Sequence, residues 1–257
     1  MVNKSTVFKW IMAAILVSAC IPLDSIDIYL GAWKNSMEID AHYFWFNSII
    51  FAGTFGTFFI GALVSYPLSD LFCREYKGGF WRYTAQRLGK RRYVLSGTLK
   101  CFAAGATSAL AGGILFLVGC RFLLQSPLFD THRFVEIEFL PFAGILNENP
   151  TLYFALVLYL LAVSCGMWAV VGYCFSFYVP ENYLIYILPF VISFMVTRVC
   201  QAVGAVQSLR PDFILRGRAG PKGDISCLAA ATLIVAAVCT FSACAAYRKL
   251  KWRLENE

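Results

Sequence analysis

The chain has 257 residues, of which 59% are hydrophobic and only 14% are charged, and its net charge is +7. Soluble domains carry roughly 25% charged residues, so this composition excludes an ordinary water-soluble protein. The long apolar runs are continuous and do not alternate with period two, which favours membrane-spanning helices over a membrane β-barrel. The basic residues accompany no nucleic-acid-binding motif, so nucleic acid is not an expected partner.

The hydropathy pattern predicts an all-α membrane protein with six transmembrane helices. A helix needs about 20 mostly apolar residues to cross the hydrocarbon core. Segments of that kind follow one another without a soluble domain between them, so residues 1–257 are predicted to form a single transmembrane domain. The predicted spans are approximately residues 10–30, 44–68, 101–122, 152–175, 184–206 and 225–247.

The N-terminus has a second interpretation. Lys4 and Lys9 precede a short apolar run that ends in small residues and Cys20. This pattern is typical of a lipoprotein signal whose cysteine becomes lipidated. Cleavage before Cys20 would leave five spans with unchanged orientation, and the sequence leaves this alternative open beside the six-span interpretation.

The distribution of Lys and Arg predicts the orientation, because cytoplasmic loops of membrane proteins are enriched in these residues. Most of these residues fall before span one, between spans two and three, and after span six. With six spans, these three segments lie on the same side of the membrane. We therefore expect a multi-pass protein of the bacterial cytoplasmic membrane with both termini cytoplasmic. One loop disagrees, since it is predicted outside and carries four basic residues: Arg210, Arg216, Arg218 and Lys222.

The predicted cytoplasmic loop over residues 69–100 has an amphipathic pattern. Four aromatic residues at helical spacing are expected to form one apolar face: Phe72, Tyr76, Phe80 and Tyr83. Gly78 and Gly79 are expected to bend or break the helix. Such a segment is either a membrane-surface helix held by anionic lipid or a docking helix for a cytoplasmic protein, and its residues favour neither.

The same loop contains a Glu-Tyr element, then a glycine and arginines, then a tyrosine and a lysine that lead into span three: Glu75, Tyr76, Gly79, Arg82, Arg87, Tyr93 and Lys100. This pattern resembles the small six-span permeases of ABC-2 type ABC transporters, in particular the peptide and lantibiotic-export subgroup. In that family the loop is a coupling helix that inserts into a groove on the ATP-binding subunit. The resemblance implies a coupling surface with Glu75 facing that subunit, formed by Phe72, Arg74, Glu75, Tyr76, Gly79, Arg82 and Arg87.

The energy source is expected in another chain. A P-loop requires the pattern G-x-x-x-x-G-K-S/T, which this sequence lacks. The resemblance implies a dimer of separate ABC ATP-binding subunits that hold ATP and Mg, a second permease copy or a related permease, and no cofactor on this chain. The implied function is export of an amphipathic peptide, lipid or drug by alternating access. The chain itself is not expected to be an enzyme.

Few charged side chains lie inside the predicted spans. Arg198 is the charge well inside one, which makes it a candidate for the substrate path, although its long side chain can also reach the interface. The ten cysteines form no metal-binding motif, and the two histidines, His42 and His132, lie outside the predicted spans. Small residues recur every four positions at Gly105, Ala109 and Gly113, which predicts close helix packing, a subunit interface or a cavity wall.

Two other functions remain open. The first is a membrane accessory or immunity protein that binds a ligand without transporting it. The second is the transmembrane coupling component of a vitamin uptake system, whose Ala-Arg-Gly elements are weakly similar to residues 216–220. The predicted topology places that segment outside, which disfavours the second alternative.

Overall fold

The computed structural model of the protein describes residues 4–24, 26, 30, 41–50, 55–123, 142–204, 210–215 and 224–256. All the regular structure within these ranges is helical. The helices are α1 Lys4–Leu23, α2 Ala41–Trp45, α3 Ile60–Ser65, α4 Leu71–Lys77, α5 Trp81–Leu88, α6 Lys90–Leu123, α7 Ala143–Glu148, α8 Pro150–Ser176, α9 Asn182–Val203, α10 Pro211–Leu215 and α11 Asp224–Asn256. Two π-helical turns, Phe46–Ile50 and Phe55–Phe59, lie between α2 and α3.

Five of these helices are long and apolar enough to cross a membrane: α1, α6, α8, α9 and α11. They confirm the all-α prediction and indicate a multi-pass membrane protein. They correspond to the first, third, fourth, fifth and sixth predicted spans. Cys20, the alternative lipidation site, lies buried within α1.

Within the second predicted span, residues 44–68, the described residues form no helix long enough to cross a membrane. The described part of this span consists of two π-helical turns and the short helix α3, and residues 51–54 lie outside the described ranges. A π-helical turn has i→i+5 hydrogen bonds and interrupts the regular α-helical ladder. The backbone amides of Phe55 and Gly56 instead donate to the Asp24 carboxylate, at 3.2 and 2.8 Å. The structure therefore does not show the second span as one of the long apolar helices, and a sixth crossing stays a prediction.

Helices α6 and α11 are longer than predicted. They contain 34 and 33 residues, which corresponds to about 50 Å each, whereas the hydrocarbon core is about 30 Å thick. Residues 90–100, expected to belong to the loop, are the first turns of α6. Hydropathy identifies only the apolar part of such a helix, so the predicted boundary at residue 100 lies inside α6 and not at its start.

The small residues of α6 place it between two neighbouring helices. A Cβ at Gly105 would lie 2.7 Å from the Ala169 Cβ of α8, so only glycine permits this approach. On the adjoining side of α6, a Cβ at Gly112 would lie 2.7 Å from the Ala14 carbonyl oxygen of α1. The predicted stripe therefore packs helices within this chain, with Ala109 fully buried beside it.

Helix α8 lies at the centre of the bundle, since buried residues recur along most of its length. At its N-terminal end, Trp45 of α2 packs against Phe154 with a ring-centroid distance of 6.3 Å. The segment between the third and fourth predicted spans, residues 125–150, lies largely outside the described ranges, as does His132. Its described part includes Phe142, which is buried, and α7.

Candidate functional site

Helices α4 and α5 form a hairpin, defined here as residues 71–88. The break between them is at Gly78 and Gly79, as expected from the sequence. Gly79 has a φ of +75°, a conformation that residues with a Cβ rarely adopt. Gly89, with a φ of +81°, makes a second break before α6. The two glycines thus allow three consecutive helices to change direction within a few residues.

Aromatic rings fix the inner face of the hairpin to the bundle. Phe72 is fully buried and stacks on Phe177, just after α8, with ring centroids 4.0 Å apart. Trp81 of α5 packs against Phe72 at 6.0 Å and against Tyr76 at 5.8 Å. Buried aromatic pairs contribute about 0.5–1.5 kcal/mol each beyond their burial. The hairpin is therefore an anchored part of the fold.

A buried arginine joins the hairpin to the end of α11. The Arg253 guanidinium donates to the Phe177 carbonyl oxygen at 2.9 Å and lies 4.7 Å from the centroid of the Tyr76 ring. A cation above an aromatic face is attracted by the ring quadrupole. The last turn of α11 thus holds both the hairpin and the C-terminal end of α8.

Glu75 has its partner within this chain. The Tyr93 hydroxyl of α6 donates to the Glu75 carboxylate at 2.6 Å, and the pair is partly buried. A second contact, between Lys77 and Glu181 at 3.1 Å, links the hairpin to the turn before α9. Glu75 therefore ties α4 to α6, and a contact between Glu75 and another protein stays a prediction.

The outer face of the hairpin is apolar and basic. Phe80 is 69% exposed and Tyr83 is 66% exposed, and the side chains of Arg82 and Arg87 are exposed beside them. The expected single aromatic face was wrong, because the backbone break at Gly79 turns α5 away from the helical phase of α4.

The hairpin thereby divides the predicted coupling residues between its two faces. Those on α4 are buried or half-buried against the bundle: Phe72, Arg74, Glu75 and Tyr76. Those on the exposed side are Gly79, Arg82 and Arg87. The exposed aromatics Phe80 and Tyr83 complete the outer surface, although the sequence pattern assigned them to the same face as Phe72.

A buried ion-pair cluster lies directly before the hairpin. Asp70 is 1% exposed and accepts hydrogen bonds from the Lys9 ammonium at 2.7 Å and the Tyr186 hydroxyl at 2.8 Å. The Arg74 guanidinium lies 3.2 Å from the second carboxylate oxygen. A buried carboxylate requires such partners, because its desolvation is otherwise strongly unfavourable.

The cluster joins three elements of the bundle. Lys9 belongs to α1, Tyr186 to α9, and Asp70 to the turn before α4. The Lys9 ammonium also lies 5.1 Å from the Tyr66 ring centroid and 5.6 Å from that of Tyr186. Sequence reasoning treated Lys9 as an orientation signal and missed this site. Asp70, a carboxylate at the end of an apolar run, could have drawn attention to this position, although it does not indicate the partner.

An apolar cleft of about 300 Å³ leads towards this cluster. It lies between α1, α3 and α9, and Tyr66 and Tyr186 line it close to Lys9. The remaining lining is hydrophobic, including Met12, Leu63 and Phe190. The cleft can hold an apolar group, and the two tyrosines supply the polar side-chain atoms of its lining.

One end of the bundle is here called the hairpin end. It holds the hairpin, the start of α1, the start of α6 and the end of α11. Lys9 reaches Asp70 beside α4, Tyr93 of α6 reaches Glu75, and the Lys90 ammonium lies 4.0 Å from the Glu255 carboxylate of α11. The start of α1 and the end of α11 therefore lie at the same end of the bundle.

Arg198 lies away from these features. It is exposed on α9, with its guanidinium 5.0 Å from the Phe194 ring centroid and 3.5 Å from the Gln201 side-chain oxygen. It does not line the apolar cleft, so its role in a substrate path stays a prediction. In the basic loop before α11, Arg210 pairs with the buried Asp212 at 2.8 Å. Arg216, Arg218 and Lys222 lie outside the described residues.

The chemistry of the described residues is limited. Among them, no group of three histidines, cysteines or carboxylates could hold a metal ion. All ten cysteines are free thiols. Burial raises the pKa of the Cys73 thiol to about 12, with the nearby Asp70 carboxylate as a further cause. Such a thiol is unreactive at neutral pH.

Comparisons with known proteins give no family. No protein-family model matches the chain, and neither the curated proteins nor the solved structures contain a significant match. The resemblance to ABC-2 type permeases therefore rests on the span pattern and on the loop residues around Glu75.

Proposed function

We propose that this chain is the transmembrane permease subunit of an ATP-driven ABC-2 type exporter. The observation that carries the proposal is the two-faced hairpin. Its inner face is fixed to α6, α8 and α11 by buried contacts, while its outer face exposes Phe80 and Tyr83 among arginines. A surface of that kind suits a soluble partner, since aromatic residues and arginine are enriched at protein interfaces.

The proposal includes a sixth membrane crossing by the segment that contains α3. The start of α1 and the end of α11 both lie at the hairpin end, and an even number of crossings accounts for this arrangement. Gly56 contacts Asp24 at the far end of α1, while Asp70 contacts Lys9 near its start. The segment between Gly56 and Asp70 thus runs back along α1. By the positive-inside rule the hairpin end is then cytoplasmic.

Force applied to the hairpin by a partner would reach the bundle through contacts already in place. The Phe72–Phe177 stack transmits it to α8, the Tyr93–Glu75 hydrogen bond to α6, and Arg253 to α11. In this mechanism ATP favours the closed state of a separate ATPase dimer, with Mg bound there, and the hairpins of two permease subunits follow. ATP shifts the transporter only by its differential affinity for the two states.

The cargo is proposed to be amphipathic. The cleft beside α1 and α9 is apolar along most of its length, and Tyr66 and Tyr186 are the lining residues that carry a polar side-chain atom. It therefore suits an apolar group attached to a polar one, as in an amphipathic peptide, a lipid or a drug. The same cleft favours the second candidate, an accessory protein that binds such a ligand without transport.

Co-purification tests the proposal and separates the two candidates. The tagged chain is extracted from its native membrane in mild detergent, and the co-purifying proteins are identified by mass spectrometry. We expect a stoichiometric soluble chain with P-loop and ABC signature motifs. Recovery of the permease alone, in several detergents and with an ATP analogue, would favour the accessory protein.

A double substitution, Phe80→Ala with Tyr83→Ala, localises the contact. We expect it to abolish ATPase co-purification while the yield of the membrane chain stays normal, because neither side chain is buried. The matched control is Tyr183→Ala, an exposed tyrosine at the start of α9, which should retain the partner. Equal retention by both variants would remove the docking role of the hairpin.

A further inference from the structure

A second groove lies between α6 and α11, with a volume of about 580 Å³. Its lining comes from two stretches, residues 91–99 and 239–248. The walls are mostly apolar, and Leu95 and Leu99 on its rim are exposed. Eight residue steps along α6 correspond to a length of about 12 Å. The groove is thus an open apolar channel on the outside of the bundle.

One end of this groove carries two arginines. Arg91 stands at the first turn of α6 and Arg248 in the last third of α11, and both line the groove. The two helices are antiparallel, because Lys90 at the start of α6 lies 4.0 Å from Glu255 near the end of α11. Both arginines therefore lie at the hairpin end, while Leu99 lies further from that end along α6.

The described carboxylates near that end are engaged elsewhere. Asp70 binds Lys9, Glu75 binds the Tyr93 hydroxyl, Glu181 binds Lys77 and Glu255 lies beside Lys90 and Lys251. Within the described ranges, neither arginine of the groove forms an ion pair with a carboxylate. Their positive charge is thus available to an anion from outside the chain.

We propose that this groove binds an anionic phospholipid. The phosphate lies between Arg91 and Arg248, and an acyl chain follows the apolar wall past Leu95 and Leu99. Arginine holds phosphate with paired, charge-assisted hydrogen bonds, and long basic side chains reach the headgroup level from a membrane-spanning helix. Exposed leucines beside the arginines suit a ligand that is itself part of the bilayer.

The site does not depend on the proposed ATPase partner. The exposed coupling surface is on α5, whereas the groove is formed by α6 and α11. Binding of a lipid there would persist if the chain were an accessory protein. Conversely, loss of lipid binding would leave the docking of a soluble subunit to the hairpin untouched, so the two proposals fail separately.

Native mass spectrometry of the purified full chain tests the site. The detergent-solubilised protein is titrated with dioleoylphosphatidylglycerol or with dioleoylphosphatidylcholine. We expect tighter binding of the anionic lipid. Each basic residue near an anionic lipid contributes roughly fivefold in affinity, so Arg91→Gln with Arg248→Gln should weaken phosphatidylglycerol binding about thirtyfold and change phosphatidylcholine binding little.

Two controls separate the groove from general surface charge. Arg92→Gln removes the charge of another exposed residue one position along α6 that does not line the groove, and it should weaken phosphatidylglycerol binding much less than Arg91→Gln. Arg91→Lys with Arg248→Lys keeps both charges and should retain most of the preference. If the double glutamine variant does not elute as a single species, each single variant should show roughly a fivefold loss.

The apolar part of the site has its own variant. Cys244→Trp fills the groove beneath the arginines and should weaken the binding of both lipids. The proposal is overturned if the two lipids bind equally to the unaltered protein, or if Arg92→Gln weakens binding as much as the double variant. It is also overturned if the mass spectra show a second copy of the chain in place of lipid and Cys244→Trp disrupts that dimer.

Discussion

Helices α4 and α5 are neighbours in sequence and nearly equal in length, yet they have opposite surroundings. In α4 the aromatic residue Phe72 is fully buried, and in α5 the aromatic residue Tyr83 is largely exposed. Gly78 and Gly79 lie between them, and the positive φ of Gly79 separates the two environments. The comparison teaches that one amphipathic loop can carry a segment anchored to the bundle and an exposed aromatic and basic segment in succession.

The largest expected effect is on the stability of the protein when the ion-pair cluster around Asp70 is broken. This cluster precedes α4 and, together with α4, is called the anchor. Asp70→Ala leaves the ammonium of Lys9 and the guanidinium of Arg74 without their carboxylate. Breaking a buried pair by removing one partner costs about 3–5 kcal/mol. We expect a correspondingly lower thermal unfolding temperature in detergent.

The control for that variant is Glu181→Ala. Its partner is Lys77, and both side chains are about half exposed, at 47% and 49%. Exposed pairs of this kind contribute about 0–1 kcal/mol, so the unfolding temperature should change little. Equal effects of the two substitutions would contradict the assignment of Asp70 to the anchor.

A smaller effect is expected when an aromatic residue of the anchor is removed. Phe72→Ala should destabilise the protein by about 3 kcal/mol, because it leaves a cavity below Phe177, whereas Phe80→Ala should be nearly neutral. Alkylation of Cys73 provides the measurement. Its buried thiol, with a pKa of about 12, should react slowly at pH 8 in the unaltered protein and faster in Phe72→Ala.

Alkylation must be compared with an exposed thiol in the same chain. Tyr83→Cys places one on α5, where the side chain is largely exposed, and it should react rapidly at the same pH. Only the thiolate reacts. The ratio of the two alkylation rates at one pH therefore reports how far burial suppresses the reaction of Cys73. Rapid alkylation of Cys73 in the unaltered protein would contradict an anchored α4.

The smallest expected effect concerns the single hydrogen bond between α4 and α6. Tyr93→Phe removes the donor to the Glu75 carboxylate and should cost about 2 kcal/mol, the range for hydrogen bonds to charged groups. Glu75→Gln keeps an acceptor and should cost less. Neither substitution should reduce co-purification of an ATPase, because the proposed docking surface is the outer face of α5.

Glu75→Arg sharpens this comparison. The sequence alone predicts that it weakens ATPase association with membrane insertion intact. In the structure it also places a cation beside Tyr93 and removes the carboxylate that holds α4 to α6. Loss of association accompanied by a lower unfolding temperature would assign the effect to the anchor, and loss without it would assign Glu75 to the docking surface.

The sequence predicted the parts of the fold that depend on local pattern. Continuous apolar runs identified α8 and α9 within a few residues, because hydropathy reports directly on the hydrocarbon core. The glycine pair identified the break at Gly79, since only the backbone conformation is involved. Small residues such as Gly105 identified a close helix contact, because the lack of a side chain lets two helix backbones approach.

The parts that depend on distant residues could not be predicted from local pattern. Lys9 and Asp70 are 61 positions apart, and nothing in either neighbourhood indicates that they pair. Asp24 likewise lies more than 30 positions from Phe55 and Gly56, whose amides donate to its carboxylate. The division of the aromatic residues depends on where α5 turns after Gly79, which spacing alone does not give.

The length of α6 has a mechanical consequence. The helix runs about 50 Å without a break. Its glycines permit close approach to α8 at Gly97, Gly105 and Gly113 and to α1 at Gly112. A rigid rod supported along its length moves as one body. Displacement at Lys90 would therefore reach the neighbours of Gly113, about 35 Å away, without being absorbed inside α6.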